Sequence, residues 1–356
     1  MTVRPRAAGV MTRRPAGTTG RPEGTAAMEG DTLSEVLRAV RLTGAVFYLL
    51  DLAAPWESEV PDGATLAPIL VARAQTVVSY HVVTRGTMWC GLGGGDPVKL
   101  EEGDVLVLPR GDAYFLSMAG GPPAGSDPDA VLAFFHACAA GQVPFAIRAG
   151  GEGTTETTLL CGFLGCDLVP YNPILGALPR LLVLRRPSLP AGDGLDQLIA
   201  LTVAESREKR AGSDSIRLRL SELMFVEVLR RYLASLSGDD GGWLAGMRDP
   251  VVGRALGLLH ERPASPWTLH ELARQVGASR SGLADRFTRL VGEPPMQYLM
   301  RWRMQVAARR LSEGPEKVSA IALDVGYDSE ASFSRAFKKV AGLPPATWRQ
   351  RYGPGR

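Results

Sequence analysis

A chain of 356 residues, 45% hydrophobic and 22% charged, has apolar material for two or three domains and is not the composition of a wholly disordered protein. No apolar run reaches the roughly 18 residues a spanning helix needs, four Cys do not make a secreted disulfide scaffold, and no apolar core follows the N-terminal Arg residues. An integral membrane protein and a secreted scaffold are therefore not expected, and the reducing cytoplasm is the expected compartment.

The net charge of +3 hides a division. Lys and Arg against Asp and Glu number 5 and 2 in residues 1–30, 17 and 25 in 31–247, and 18 and 10 in 248–356. An acidic body joined to a basic end suits a polyanion partner at that end, through counterion release. An ordinary solvated surface would carry the same charges, so the motifs must decide.

Residues 1–27 hold Arg, Pro, Gly, Thr and Ala with hardly a large apolar side chain. They cannot bury enough surface to offset ordering, and a disordered tail to about residue 30 is expected, with Met11 and Met28 as alternative starts. Asp31–Arg41 reads as a short helix. A β-like region then runs to about residue 190. Its strand candidates are Ala45–Leu52, Ile69–Ala72, Val77–Val83, Met88–Leu92, Val105–Leu108, Ala113–Met118 and Thr157–Cys161. Between them lie turn signals such as Pro61-Asp62-Gly63, Gly93-Gly94-Gly95-Asp96-Pro97 and Arg110-Gly111-Asp112. Many short strands at this spacing predict a sandwich or barrel. The stretch 120–155 carries no clear period. From about 195 the period changes to 3.6, and Leu195–Lys209 and Ile216–Leu236 read as helices within a linker region over 191–245. The second is apolar on most sides, so it is packed within one subunit or meets a second copy.

The C-terminal region, 246–356, contains an internal repeat. Phe287-x-x-Leu290-Val291-Gly292-Glu293-Pro294-Pro295 recurs 50 residues later as Phe337-x-x-Val340-Ala341-Gly342-Leu343-Pro344-Pro345. Each copy follows a helix, a Gly turn and a second helix. Thr268 caps Leu269–Gln275, Gly277 turns, and Ser279 caps a helix to Leu290. Val318–Asp324 leads to Gly326, and Ser329 caps a helix to Val340. Leu283, Phe287 and Leu290, like Phe333, Phe337 and Val340, share an inward face. The opposite faces carry Arg280, Ser281, Ala284, Asp285 and Thr288, and Ala331, Ser334, Arg335 and Lys338. Two such units form paired helix-turn-helix elements. The major groove admits one helix, and there each base pair has a distinct donor and acceptor pattern. Met296–Leu311 reads as a rigid helix that spaces the two units for successive grooves.

Residues 250–352 resemble the DNA-binding domain of the AraC/XylS family of bacterial transcription regulators. The resemblance rests on Ile321-Ala322-Leu323-Asp324-Val325-Gly326-Tyr327, then Ser332-Phe333-Ser334-Arg335-Ala336-Phe337-Lys338-Lys339, then Gly342-x-Pro344-Pro345. It implies that the first recognition helix presents Arg280, Ser281, Ala284 and Asp285 to DNA, and the second Glu330, Ala331, Ser334 and Arg335. Ala and Asp offer little bidentate base reading. Sequence readout then rests on Arg280 and Arg335, with Arg286, Arg289, Lys338 and Lys339 on phosphates. An ion pair within the domain is the alternative for Arg286.

The segments Tyr80-His81-Val82-Val83-x-x-Gly86 and Leu100-x-x-Gly103-Asp104-Val105-Leu106-Val107-Leu108-Pro109-x-Gly111-Asp112 are similar to the cupin-type sensor domain of one branch of that family. Together the resemblances imply an α+β chain: a cupin-like β-barrel over 31–190, a helical linker, and an all-α DNA-binding domain. Metal-binding cupins place several His and a carboxylate in the barrel. Here only His81 stands at the usual strand, Val83 follows two residues on, and Tyr114 takes a place often held by His. The candidate ligands are His81, His136, Cys90, Cys138, Cys161 and Cys166, with His81, Tyr114, Cys161 and Cys166 as the metal or effector set. Cys161-x4-Cys166 lies within the range of zinc thiolate spacings; a thiol pair for a disulfide and two buried structural Cys are the other readings. No cofactor is required, and zinc is the candidate if one is held.

The resulting expectation is a one-component, non-catalytic regulator that binds promoter DNA as a homodimer and answers a small-molecule, metal or redox effector. A cupin oxygenase or isomerase would need a metal triad with an open position. A purely architectural DNA protein would not need an acidic sensor of this size.

Overall fold

The computed structural model describes residues 32–39, 42–71, 74–123, 125, 127–186, 194–208, 210–236 and 242–353. The expected tail and part of the expected linker lie outside these residues. Strands β1 (Leu42–Ala53), β3 (Thr76–Arg85), β6 (Val105–Leu108), β8 (Ala146–Gly150), β9 (Thr155–Cys166) and β10 (Leu182–Leu184) form a sheet in the order β10-β6-β3-β9-β1-β8. Strands β2 (Glu57–Val60), β4 (Thr87–Leu92), β5 (Val98–Glu101) and β7 (Tyr114–Ser117) form a second, in the order β2-β7-β4-β5. Among the described residues only the β1–β8 pairing is parallel. The two sheets share no strand pairing among the described residues, so the expected barrel is an open one.

The larger sheet is covered on both faces, which explains its near-continuous apolar strands. Strand residues alternate between faces. On β9, Leu159, Cys161 and Phe163 join the core between the sheets, while Leu160, Leu164 and Cys166 join the core on the outer face. On β3, Val77 and Val83 point inward and Val78, Tyr80 and Val82 outward. Tyr80 lies across its strand partner Gly162, where a Cβ would come within 2.0 Å of the ring, and its hydroxyl meets Ser221 Oγ at 2.9 Å.

One expectation for this half needs correction, and one unassigned stretch is settled. Ile69 and Leu70, expected in a strand, end helix α2, which follows α1 (Thr32–Ala39) and spans Gly63–Leu70; Ala72 lies outside the described residues. The cause is Asp62, whose carboxylate accepts from Ala64 N, Thr65 N and Thr65 Oγ1 at 2.8–3.1 Å and caps that helix, so the apparent turn signal is a helix start. The stretch 120–155 holds α3 (Pro128–Ala139), capped by Asp127, and then β8.

After α4 (Pro173–Ala177) come α5 (Gly194–Arg207) and α6 (Ser213–Ser235). Leu220, Met224, Phe225, Val228 and Leu229 of α6 are buried, yet Ile216 and Leu223 are 43% and 53% exposed. The expected boundary at residue 245 falls inside α7 (Trp243–Arg248), because Trp243 and Leu244 are buried with the helices that follow. These are α8 (Val252–Glu261), α9 (Leu269–Gln275), α10 (Arg280–Val291), α11 (Pro295–Glu313), α12 (Val318–Asp324), α13 (Glu330–Ala341) and α14 (Pro345–Tyr352). The repeated Pro pair opens α11 in the first unit and α14 in the second, since Pro suits the first helical turn. Helix α11 serves two cores. Tyr298, Leu299 and Trp302 pack with the first unit; Met304, Ala307, Ala308 and Leu311 pack with the second. The first core continues without a break through α6 to the outer face of the larger sheet.

Candidate nucleic-acid interface and sensor cavity

The two helix-turn-helix units form as the caps and glycines dictate. Thr268 Oγ1 accepts from Glu271 N at 3.1 Å, Ser279 Oγ from Gly282 N at 3.1 Å, and Ser329 Oγ from Ser332 N at 3.2 Å. Gly277 and Gly326 take φ of +70° and +85° at the turns, a region costly for other L-residues. Leu283, Phe287, Phe333 and Phe337 are fully buried, which turns the opposite faces outward.

On α10 the outward face exposes Arg280, Ser281, Asp285 and Arg289, with Ala284 half-buried. On α13 it exposes Glu330, Ala331, Arg335, Lys338 and Lys339, with Ser334 half-buried. None of Arg280, Arg289, Arg335, Lys338 and Lys339 is ion-paired among the described residues. For Arg286 the structure shows the ion pair that the sequence left as the alternative. Its guanidinium pairs with Asp249 at 2.7 Å, and the same carboxylate caps α8 through Val251 N and Val252 N at 3.0 and 2.9 Å. Burial would raise the Asp249 carboxyl, but those N–H groups and Arg286 outweigh it and hold the carboxyl below its ordinary range. Arg286 is therefore an ion-paired cation that ties α10 to the start of α8. The partner is 37 residues away in sequence, and no local signal marks it.

Between the two sheets, under α3, lies a cavity of about 850 Å³. Its walls are mostly apolar and include Leu50, Leu52, Trp56, Leu116, Phe134, Phe135 and Phe163, with Glu57 and Asp127 also contributing. His81 and Cys161, neighbours across the β3–β9 pairing, both line it. His81 Nε2 meets Tyr114 Oη at 2.6 Å, and His81 Nδ1 is buried without a hydrogen-bond partner. Burial pushes the imidazole down to about 3, so the ring is neutral near pH 7.

The structure thus brings His81, Tyr114 and Cys161 together and separates Cys166 from them. An offset of five residues along β9 puts Cys161 and Cys166 on opposite faces, in different cores. They share neither a zinc ion nor a disulfide. Cys90 and Cys138 are buried and free, and His136 is exposed on the outer side of α3. Among the described residues no group of three or more His, Cys, Asp and Glu is placed to hold a metal. Burial pushes the Cys90 thiol up to about 12 and raises Cys161 and Cys166 as well. Neutral buried thiols are poor nucleophiles, which is unfavourable for a redox switch.

A third feature joins the two halves. Strand β9, which lines the cavity, leads through Cys166 to a loop whose Tyr171 enters the DNA-binding half. Tyr171 N donates to Gln305 Oε1 at 3.1 Å, its hydroxyl to Glu293 Oε1 at 3.2 Å, and the Arg301 guanidinium lies 4.1 Å from its ring centroid. Beneath it, Trp243 Nε1 donates to Tyr298 Oη at 2.9 Å. The Tyr298 hydroxyl is then free to donate to His260 Nε2, 2.7 Å away, and His260 stacks on Trp302 with centroids 4.0 Å apart. Sequence reading missed this junction, because Tyr171, Glu293 and Arg301 acquire meaning only from each other.

Residues 31–234 match a family model described as Cupin, and residues 272–351 one described as a helix-turn-helix domain. A putative AraC-like transcription regulator of Streptomyces lividans is 35% identical over 78% of this chain and 88% of its own length. The HTH-type transcriptional regulator AlkR of Acinetobacter baylyi is 29% identical over 78% of this chain and 89% of its own. Among solved structures, the DNA-binding domain of AdpA in complex with a target DNA is 28% identical, covering 29% of this chain and 93% of that one, with a TM-score of 0.28. No helix among the described residues is long and apolar enough to cross a membrane.

Proposed function

The chain belongs to the AraC-like transcription regulators, with a cupin domain and a helix-turn-helix DNA-binding domain, and from that premise we propose that an apolar organic effector in the cavity controls how α10 and α13 read promoter DNA. The observation that carries the effector half is one buried His81 nitrogen without a partner beside a mostly apolar cavity of about 850 Å³. An apolar body gains affinity from burial, and one polar group on the ligand satisfies His81 Nδ1. Metal and redox effectors fit less well, because the candidate ligands diverge and the thiols are buried and neutral. Coupling runs along β9 to Tyr171. An effector bound better in one arrangement of the two halves shifts the population toward it.

Trp56 lines the cavity and reports its occupancy. Titration with n-alkanols from hexanol to decanol is expected to change its emission saturably and to raise the melting temperature. Corresponding alkanoates are expected to bind more weakly, given Glu57 and Asp127 in the wall. His81→Phe should weaken alkanol binding by about 3–10-fold, the worth of one neutral hydrogen bond. If no alkanol alters either the Trp56 emission or the melting temperature, the apolar-effector reading fails; Trp56→Phe identifies the reporting residue.

The exposed side chains Ile216 and Leu223 on α6 support a homodimer. Two copies crossing antiparallel at Leu223 would bring Arg219 of each near Glu227 of the other, beside their in-chain partners Glu222, Arg230 and Arg231, a self-matching face. Sedimentation velocity should record a dimer for the native chain and a monomer for Leu223→Glu. An unchanged sedimentation coefficient in that variant would place the interface elsewhere.

A further inference from the structure

We propose that Arg303 is a positioning residue that sets the spacing of the DNA sequence this protein reads, although it touches no recognition helix face. This rests on the reading that both α10 and α13 enter DNA.

Arg303 sits where α11 passes from one core to the other, between Trp302 of the first core and Met304 of the second. Its guanidinium is half-buried and donates to three backbone carbonyls. Nε reaches Pro263 O at 2.7 Å and Nη2 reaches Ser265 O at 2.9 Å, both in the loop that enters α9. Nη1 reaches Gly326 O at 3.3 Å, in the turn of the second unit. One planar, permanently charged fork thus ties the entry loop of the first unit to the turn of the second. The two segments also touch directly. A Cβ on Gly326 would meet Ala264 O at 2.7 Å and Arg303 Nη2 at 2.8 Å.

The cores of the two units are otherwise separate, and α11 is the element common to both. A helix by itself fixes distance well but lets each unit rock on its own packing. A guanidinium bonded to both sides removes that freedom. Rotation of one recognition helix relative to the other is then not available to accommodate a different groove phase. One inserted base pair moves the second contact segment by about 3.4 Å and turns it by about 35°. A rigid pair cannot follow both changes; a loosened pair follows them in part. Arg303 therefore acts on spacing and leaves base preference to other residues. A Lys in its place keeps the charge but cannot reach three diverging carbonyls.

The test uses the full-length protein and a duplex that it selects from a random pool. Derivatives of that duplex carry one base pair inserted or deleted between the two contacted segments. Binding is followed by fluorescence anisotropy at one fixed salt concentration. The native protein is expected to lose about tenfold or more on insertion, the size of a poor base contact. Arg303→Ala and Arg303→Lys are expected to bind the parent duplex a few fold more weakly, with the insertion penalty reduced to about threefold or less and base preference within each segment unchanged. A merely structural role would lower the melting temperature and the affinity for all duplexes equally, leaving the insertion penalty as it was. That result, or a native protein indifferent to insertion, overturns the proposal. If Arg303→Ala does not fold, Arg303→Lys decides alone. Arg280→Ala and Arg335→Ala on the parent duplex test the docking itself: if neither weakens binding, the two-helix reading is at fault and not the role of Arg303.

Discussion

Replacing Arg335 with Ala is expected to weaken binding to a selected duplex by about 1–3 kcal/mol, and Arg280→Ala by a similar amount. Each side chain stands on the outward face of its recognition helix, and each is exposed and without an ion pair among the described residues. Both are held ready by a buried opposite face, Phe333 and Phe337 in one unit and Leu283 and Phe287 in the other. Arg is also the long bidentate donor on these faces, where its neighbours are Ser, Ala, Asp and Glu. The two positions lie in different units with different cores, so the double variant should lose roughly the sum, about 2–6 kcal/mol. Competition against random-sequence duplex measures this as a lost specificity ratio. Lys338→Ala should differ in kind, weakening binding to all sequences and lowering the salt slope by about 1. Arg286→Ala should instead lower stability, because it leaves Asp249 without its cation. Equal affinity and equal sequence preference in the Arg280→Ala, Arg335→Ala double variant would show that these faces do not meet DNA.

Acidification should destabilise the protein steeply well above the usual carboxylate range. His81 and His260 are each buried and held neutral, with burial pushing both down to about 3. An unfolded His titrates near 6.5. The unfolded chain therefore takes up protons below about pH 6.5 that the folded chain refuses, and stability falls as the pH falls. Each ring accounts for about 1.4 kcal/mol per pH unit in that window, so the two together lose about 4 kcal/mol between pH 7 and pH 5. The contribution is complete above pH 6.5 and declines down to the folded values. Neither ring has a carboxylate partner among the described residues to counter this: His81 faces Tyr114 and Phe163, and His260 faces Tyr298, Trp243 and Trp302. Denaturant titration at pH 7, 6 and 5 measures the effect. His81→Phe should remove about half of the slope. A native protein with equal stability at pH 7 and pH 5 would show that these rings are hydrated or paired in solution.

The C-terminal units were legible in the residues themselves because their signals are local. Thr268, Ser279 and Ser329 cap the helices that follow them, Gly277 and Gly326 break the chain between helices, and the buried faces repeat at helical spacing. The paired strands of the sensor were legible for a similar reason, through alternation and turn residues. Where two local readings competed, sequence reasoning failed: Asp62-Gly63 is equally a turn or a helix start, and the Asp62 carboxylate, with Gly63 close against β3, makes it the start of α2.

Which residues work together was decided only in three dimensions. Cys161 and Cys166 look like a pair in one dimension, yet the two-residue period of a strand sends them to opposite faces. Arg286 looks like a surface cation until α8 brings Asp249 against it. Tyr171 and Arg303 carry no signal at all, since their partners lie 122 and 134 residues away in one case and 23–40 in the other. Local capping, turns and periodicity are written in neighbouring residues, so the sequence by itself determined the helix-turn-helix units and their outward faces. Ion pairs, cavity floors and the junction between the halves depend on long-range packing, and only the tertiary structure could decide them.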